Sequence, residues 1–329
     1  PMQGVSEAAQ KMLGELERID KELAQAATPA RIAELNDLRA AVLLRLVGAA
    51  STADDRSQWV RQFADTVSAA VQSGEFPAGM ARLESVVAAS ADYGAADRAY
   101  VKFRLLTAGY SKALSVPEAD FDKVQEKWLA DLSGFVNQFP ASSDAPEALF
   151  QLGIAEEFAG NEAQAIKYYA EIGARYGDSP NAAKAEGAKR RLELKGRPLA
   201  LVAKTLGGKT LDTRSLEGKV VVLHYWASWS EPSVKDMSQL RDLQAKFGNR
   251  LSLVGVNVDV DSADAQRVVQ QNRYSWSHLY SKGSMESQLA NQLGVVSVPM
   301  MIVVDATGKV VKTGVHSAEL SGILNGLIK

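Results

Sequence analysis

The sequence predicts a multidomain protein: an all-α region of helical hairpins up to about residue 195, then an α/β domain over 196–329. Two observations carry the division. Apolar residues recur at helical spacing from Val5 to Lys195, and beyond Gly196 short β-branched runs alternate with amphipathic helices. A third concerns the helical part alone. Pro146, Ala148 and Gly153 return as Pro180, Ala182 and Gly187, each 34 residues on, the spacing of a stacked helical repeat. The expected bounds are 1–50 for an N-terminal helical hairpin, 51–195 for a larger helical domain and 196–329 for the α/β domain.

Taken in order, residues 5–49 read as two helices broken at Thr28-Pro29, Thr28 capping the second and Pro29 in its first turn, where no partner awaits an N–H. Val5, Ala9, Met12, Leu16, Ile19, Leu23 and Ala26 alternate four and three apart, and Leu35, Leu38, Val42, Leu46 and Ala49 make a second apolar face. Such faces suit an antiparallel hairpin within the chain or a homodimer through residues 5–49. Helical periodicity continues from Asp54, with breaks at Phe76-Pro77, Asp92-Tyr93-Gly94, Val116-Pro117, Gln138-Phe139-Pro140 and Asp178-Ser179-Pro180. In the 34-residue unit Leu149, Leu152 and Gly153 fall on the first helix, and Ala165, Tyr169 and Ile172 on the second. This unit resembles a tetratricopeptide repeat. The resemblance implies stacked hairpins whose concave face is either open to a polypeptide or simply packed.

After Gly196, strands are expected near 220–226, 251–258, 300–304 and 309–315, and helices near 231–247, 262–273, 285–293 and 317–328. Asp305-Ala306-Thr307-Gly308 marks the turn between the last two strands. The first strand, Val220-Val221-Val222-Leu223-His224-Tyr225, runs into Trp226-Ala227-Ser228-Trp229-Ser230-Glu231-Pro232-Ser233. Two serines three apart, with Pro232 between them, stand where a helix begins, and serine side chains there bond the free N–H groups. A serine nucleophile would need a base and an oxyanion hole. His224 is the one histidine close in sequence, and there is no G-x-S-x-G elbow.

Composition narrows the functions further. The 329 residues carry a net charge of -2, which with no RNA- or DNA-reading motif argues against a nucleic-acid binder. There is no cysteine, hence no disulfide and no thiolate metal site, and His224, His278 and His316 lack metal-ligand spacing. No Gly-rich phosphate loop or carboxylate pair stands out, so no cofactor and no metal are expected. Neither a membrane-spanning run nor a signal peptide is expected, since Pro1-Met2-Gln3-Gly4 leads straight into amphipathic helix.

With these residues in view, Arg197 to Lys329 resembles the TlpA/ResA group of bacterial thioredoxin-like thiol-disulfide oxidoreductases, which are related to the AhpC/TSA redoxins. The matching parts are Pro198-Leu199-Ala200-Leu201, Gly207-Gly208-Lys209, Leu216-Glu217-Gly218-Lys219, the Trp229-to-Ser233 segment, and Val298-Pro299 followed by Met300–Asp305 and Thr307-Gly308-Lys309. The resemblance implies a thioredoxin fold, a place in the bacterial envelope or periplasm, and polypeptide partners or substrates. It places Ser230 and Ser233 at the attacking and resolving cysteines of a C-x-x-C site, the first exposed and the second deeper. His224 falls at a position where relatives carry a buried acid or a neutral polar group. It is then a proton acceptor for the second thiol or, with serines present, a hydrogen-bonded structural residue. Pro299 is expected in the cis form, with Val298 where many relatives have threonine, and Trp229, Glu231, Pro232, Val298 and Pro299 as the substrate-binding edge. Trp226 is expected in the core.

Thiol-disulfide exchange proceeds through a thiolate, and a hydroxyl has no accessible anion at the same place. A peroxidase reading fails for want of the same thiolate. Two readings of the serine pair stand side by side. In one the domain has become a protein-binding or scaffolding module. In the other the chain is a Cys→Ser variant of an active oxidoreductase.

Overall fold

The structure, a computed structural model, describes residues 7–89 and 93–328; Val5 and Asp92 lie outside them. By its internal contacts the chain divides into two compact units, Pro1–Leu152 and Gly153–Lys329. The last helices before residue 195 therefore group with the sheet, although the change from helix to strand does fall near 196.

The first unit holds α1 (Glu7–Leu23), α2 (Pro29–Ala49), α3 (Ala53–Gln72), α4 (Gly79–Ala88), α5 (Ala95–Leu114), α6 (Phe121–Gln138) and the start of α7 (Ala145–Phe158). Side-chain oxygens at the N-caps fix three helix starts: Thr28 accepts from Arg31 N, Thr52 from Asp55 N and Asp120 from Lys123 N. Leu16 and Ile19 of α1 join Leu35, Leu43 and Leu46 of α2 and Val60, Phe63 and Val67 of α3 in one buried cluster. The apolar faces of residues 7–49 are thus largely covered within the chain, with Leu38 left 43% exposed.

The second unit begins with the end of α7, then α8 (Glu162–Arg175) and α9 (Ala182–Glu193). A short hairpin of β1 (Val202–Lys204) and β2 (Thr210–Asp212) leads to a five-stranded sheet of β3 (Val220–Trp226), β4 (Leu251–Asn257), β5 (Ser277–Tyr280), β6 (Met300–Val304) and β7 (Val310–Val315). The spatial order is β5-β4-β3-β6-β7, with β3, β4 and β5 parallel and β6 and β7 antiparallel additions. All seven residues of the central β3 are buried, as a strand covered on both faces requires. On one face α10 (Glu231–Phe247) and α13 (Ser317–Leu327) set Met237, Leu240, Leu320 and Leu324 against Val222, Trp226, Met301 and Val303. On the other, α12 (Gln288–Gln292) sets Leu289 against Val221, Leu223, Tyr225 and Ile302. α11 (Ser262–Gln271) connects β4 to β5. This is the thioredoxin fold. The four-residue strand β5 has no counterpart in the sequence expectations, and α12 is shorter than expected because Ser284–Glu286 is a separate 3-10 turn.

Within this unit α9 packs on α12 backbone to backbone. A methyl group on Gly187 would overlap Asn291 O and lie 2.5 Å from Gly294 N; one on Gly294 would lie 2.5 Å from Ala188 Cα. Gly294 also has φ +56°, which L side chains seldom adopt. Beside the contact, Arg191 is buried. Its Nε donates to Leu293 O at 2.8 Å, and its two terminal nitrogens fork onto Glu157 at 2.6 and 2.9 Å. Gly187→Ala should therefore cost about 1–3 kcal/mol through overpacking, while Gly134→Ala in α6, with open space around it, should gain about 0.5–1 kcal/mol from helix propensity. Urea midpoints of the two variants moving in opposite directions would bear this out; equal midpoints would refute the close contact.

Candidate functional site

The end of β3 delivers Trp226 into the core and turns the chain so that α10 starts at Glu231. Two buried side chains hold that turn. Asp259 takes the Ser228 N–H on Oδ1 at 2.8 Å and the Asn257 side-chain N–H on Oδ2 at 3.0 Å, while Asn257 Oδ1 accepts from Asp259 N at 3.1 Å and its Nδ2 reaches Trp226 O at 3.3 Å. The sequence expectations did not single out this pair. The signal available was two polar residues, Asn257 and Asp259, closing an otherwise apolar strand at the end of a parallel sheet, where such folds build their sites.

Ser230 is the N-cap of α10 and is 7% exposed; Ser233 is fully buried one turn in. Ser233 Oγ donates to Ser230 Oγ at 2.9 Å, and Ser230 Oγ in turn accepts a long bond from Ser233 N and donates to Val298 O, each at 3.4 Å. The Val298-Pro299 peptide is cis. The structure thus brings Ser230, Ser233, Val298 and Pro299 together, with Pro232 inside the first turn, where its missing N–H leaves no bond unmade. Glu231 and Pro232 are exposed, and Trp229 is 62% exposed on the rim. The expectation of an exposed Ser230 is corrected: its hydroxyl is enclosed by the Val298 carbonyl and Ser233. Among the described residues no carboxylate or imidazole is hydrogen-bonded to either hydroxyl, so none serves as a general base there.

His224 occupies β3 two residues before Trp226. Neither of its ring nitrogens has a hydrogen-bond partner among the described residues, which corrects the expectation of a hydrogen-bonded structural residue. It stands in a row across three strands, opposite Gly255 of β4, which is opposite His278 of β5. Gly255 provides the space: a Cβ there would overlap His278 Nδ1 and lie 2.9 Å from Trp226 Nε1. Both His278 nitrogens and the indole N–H groups of Trp226 and Trp276 also lack partners among the described residues. Burial drives both imidazoles down, His224 to about 3, with His278 nearby adding to the effect, and His278 to about 4. Both rings are therefore neutral at neutral pH, and His224 is a weak base. His316, far off in sequence, stands at the N-cap position of α13 without a side-chain capping bond and lines a groove of about 370 Å³ with Glu157, Phe158, Arg191, Pro299 and Lys312. No group of three or more potential metal ligands occurs among the described residues.

The two buried histidines make stability depend on pH with a definite sign. In the unfolded chain they take up protons near pH 6.5, and in the folded protein only near 4 and 3. Between these values the unfolded state binds more protons, so stability falls on acidification, by about 1.4 kcal/mol per pH unit for each histidine. Urea titrations from pH 7 to 4 should show that slope, and His224→Leu should remove one histidine's share of it. An unchanged slope would place a charged or solvated imidazole at 224.

A family model described as thioredoxin-like matches residues 218–310. Among curated proteins, thiol-disulfide oxidoreductase ResA of Bacillus thuringiensis subsp. konkukian is 24% identical over 112 residues, covering 34% of this chain and 63% of ResA. The chain thus spans a little under two thirds of the length of such relatives. Thioredoxin-like protein YneN of Bacillus subtilis is 35% identical over 54 residues, 16% of this chain and 32% of YneN. Of solved structures, a thiol-disulfide oxidoreductase from Bacteroides fragilis superposes on 40% of this chain and 98% of its own with a TM-score of 0.37 at 20% identity. The strand order, the cis proline beside the first turn of α10 and the matched family model agree: the C-terminal region has the thioredoxin-like fold and is similar in sequence to thiol-disulfide oxidoreductases.

Proposed function

We propose that the chain is a redox-inactive binding or scaffolding protein of the bacterial envelope, which holds polypeptides at the edge formed by Trp229, Val298 and Pro299. The observation that carries this reading is the hydrogen bond from Ser233 to Ser230. Of the two side chains that would exchange electrons as thiols, Ser230 instead caps the helix and holds the Val298 carbonyl, and Ser233 donates to Ser230. A large indole lies exposed beside them, an apolar surface for a partner's side chains. The similarity to thiol-disulfide oxidoreductases of the ResA type supports the envelope setting, and no described helix is long and apolar enough to cross a membrane.

A second reading is favoured by the facing geometry of the two hydroxyls. Serines 2.9 Å apart at a helix N-terminus occupy the arrangement that a cysteine pair needs, so the chain could equally be an oxidoreductase whose cysteines were replaced. The helix end would lower the pKa of a thiol at 230 below its usual 8.5 or so.

The chain should not reduce insulin disulfides above background. It should bind a reduced, alkylated unfolded protein, and Trp229→Ala should weaken that binding about tenfold by calorimetry, the effect of about 1.4 kcal/mol of lost apolar and aromatic contact. The Ser230→Cys/Ser233→Cys double variant decides between the readings. Slow or absent turnover in a folded variant supports the scaffold, and brisk insulin reduction supports the oxidoreductase. Failure of the unfolded protein to bind at all would remove the scaffold reading.

A further inference from the structure

We propose that a groove along α5 in the first unit binds a single-chain anionic amphiphile, with the acyl chain against its apolar stretch and the head group at Arg98 and Lys102. Arg98, Lys102, Leu106, Gly109 and Ala113 follow one another at four, four, three and four residues, a single stripe of α5 about 22 Å long at 1.5 Å per residue. From Lys102 to Ala113 this stripe floors a cavity of about 530 Å³ walled by Met80 of α4 and by Val124 and Trp128 of α6. From Lys102 back to Arg98 it borders a second cavity of about 460 Å³ that includes Gln138. Lys102 lines both, so its side chain borders the apolar cavity and the one beside Arg98.

The two ends differ in chemistry. At the apolar end Tyr110 and Trp128 stack with centroids 4.6 Å apart. Their polar tips are already engaged, the Tyr110 hydroxyl donating to Gln125 at 2.7 Å and the Trp128 N–H to Gln151 at 3.0 Å. What remains is apolar surface. Gly109 keeps the floor open, since a Cβ there would already touch Met80 Cε at 3.4 Å. The lysines bordering this end are neutralised, Lys123 by Asp120 and Lys127 by Asp131. Glu84 is the other carboxylate on its wall.

At the opposite end Arg98 and Lys102 are half-buried and have no carboxylate partner among the described residues. Two unpaired cations one helical turn apart, at one end of an apolar trough, complement an anionic head joined to a hydrocarbon chain. The volumes lie in the range of small-molecule sites. An extended polypeptide would set unsatisfied N–H and C=O groups against the apolar lining, which disfavours it here.

Calorimetry of the full chain with dodecanoate, kept below its micelle concentration, tests the assignment. Saturable one-to-one binding is expected, weakened about tenfold or more by Arg98→Glu/Lys102→Glu and blocked by Gly109→Leu, with circular dichroism confirming that each variant folds. Dodecanol, the same chain without the charge, should bind about tenfold more weakly. No saturable binding, binding indifferent to both substitutions, or equal affinity for dodecanol would overturn the proposal. So would an acidic amphipathic peptide that binds in a Gly109→Leu-sensitive way while dodecanoate does not; that result would assign the groove to a partner helix.

Discussion

The contact between α9 and the turn after α12 is the constraint on which the second unit depends. Gly187 and Gly294 let the two backbones meet with no side chain between them, and Arg191 reaches over the contact to hold Leu293 O while Glu157 neutralises it. Each part requires the others. A buried guanidinium without its carboxylate would be destabilising by about 3–5 kcal/mol, and without the glycines the helix would stand too far off for the Leu293 carbonyl to be reached. The turn so held runs on through Val295 to Val298-Pro299, whose carbonyl faces Ser230. The position of the Ser230–Val298 contact is thereby set partly by a helix outside the thioredoxin fold proper.

The same contact gives the 34-residue echo a physical meaning. Gly153, the first copy of the position, makes room for the ring of Tyr169: a Cβ there would lie 2.5 Å from Tyr169 Cε1. Gly187, the second copy, makes room for Asn291 and Gly294 instead. One small residue at one place on a helix admits the aromatic of the following helix in the first case and a turn of the sheet layer in the second.

Much of this was legible in the sequence, and the exceptions share a cause. The buried strands β3, β4 and β6 announce themselves as apolar runs, and Ser230, Pro232 and Pro299 sit in a pattern whose spacing is local. β5 was not legible: Ser277-His278-Leu279-Tyr280 is short and shows weak alternation, and its strand character comes from pairing with β4. The row His224–Gly255–His278 was equally hidden, because residues far apart in sequence meet only through the register of three parallel strands. The sequence expectations did not single out Arg191, a charged residue on a helix rich in charge. Its burial follows from Gly187 one turn earlier, and that glycine was noticed only as part of a repeat. Long-range partners decide such residues, and neither spacing nor propensity reports them.

Phe158, at the end of α7, is 74% exposed and stands with Glu157 and Arg191 along one bank of the groove that Pro299, Lys312 and His316 line on the other. In a bare thioredoxin-like domain that flank would be open, and a broad folded surface could settle on it. Here it is a channel with a helical bank. Access to Pro299 from this side therefore passes between the end of α7 and the residues that border β7.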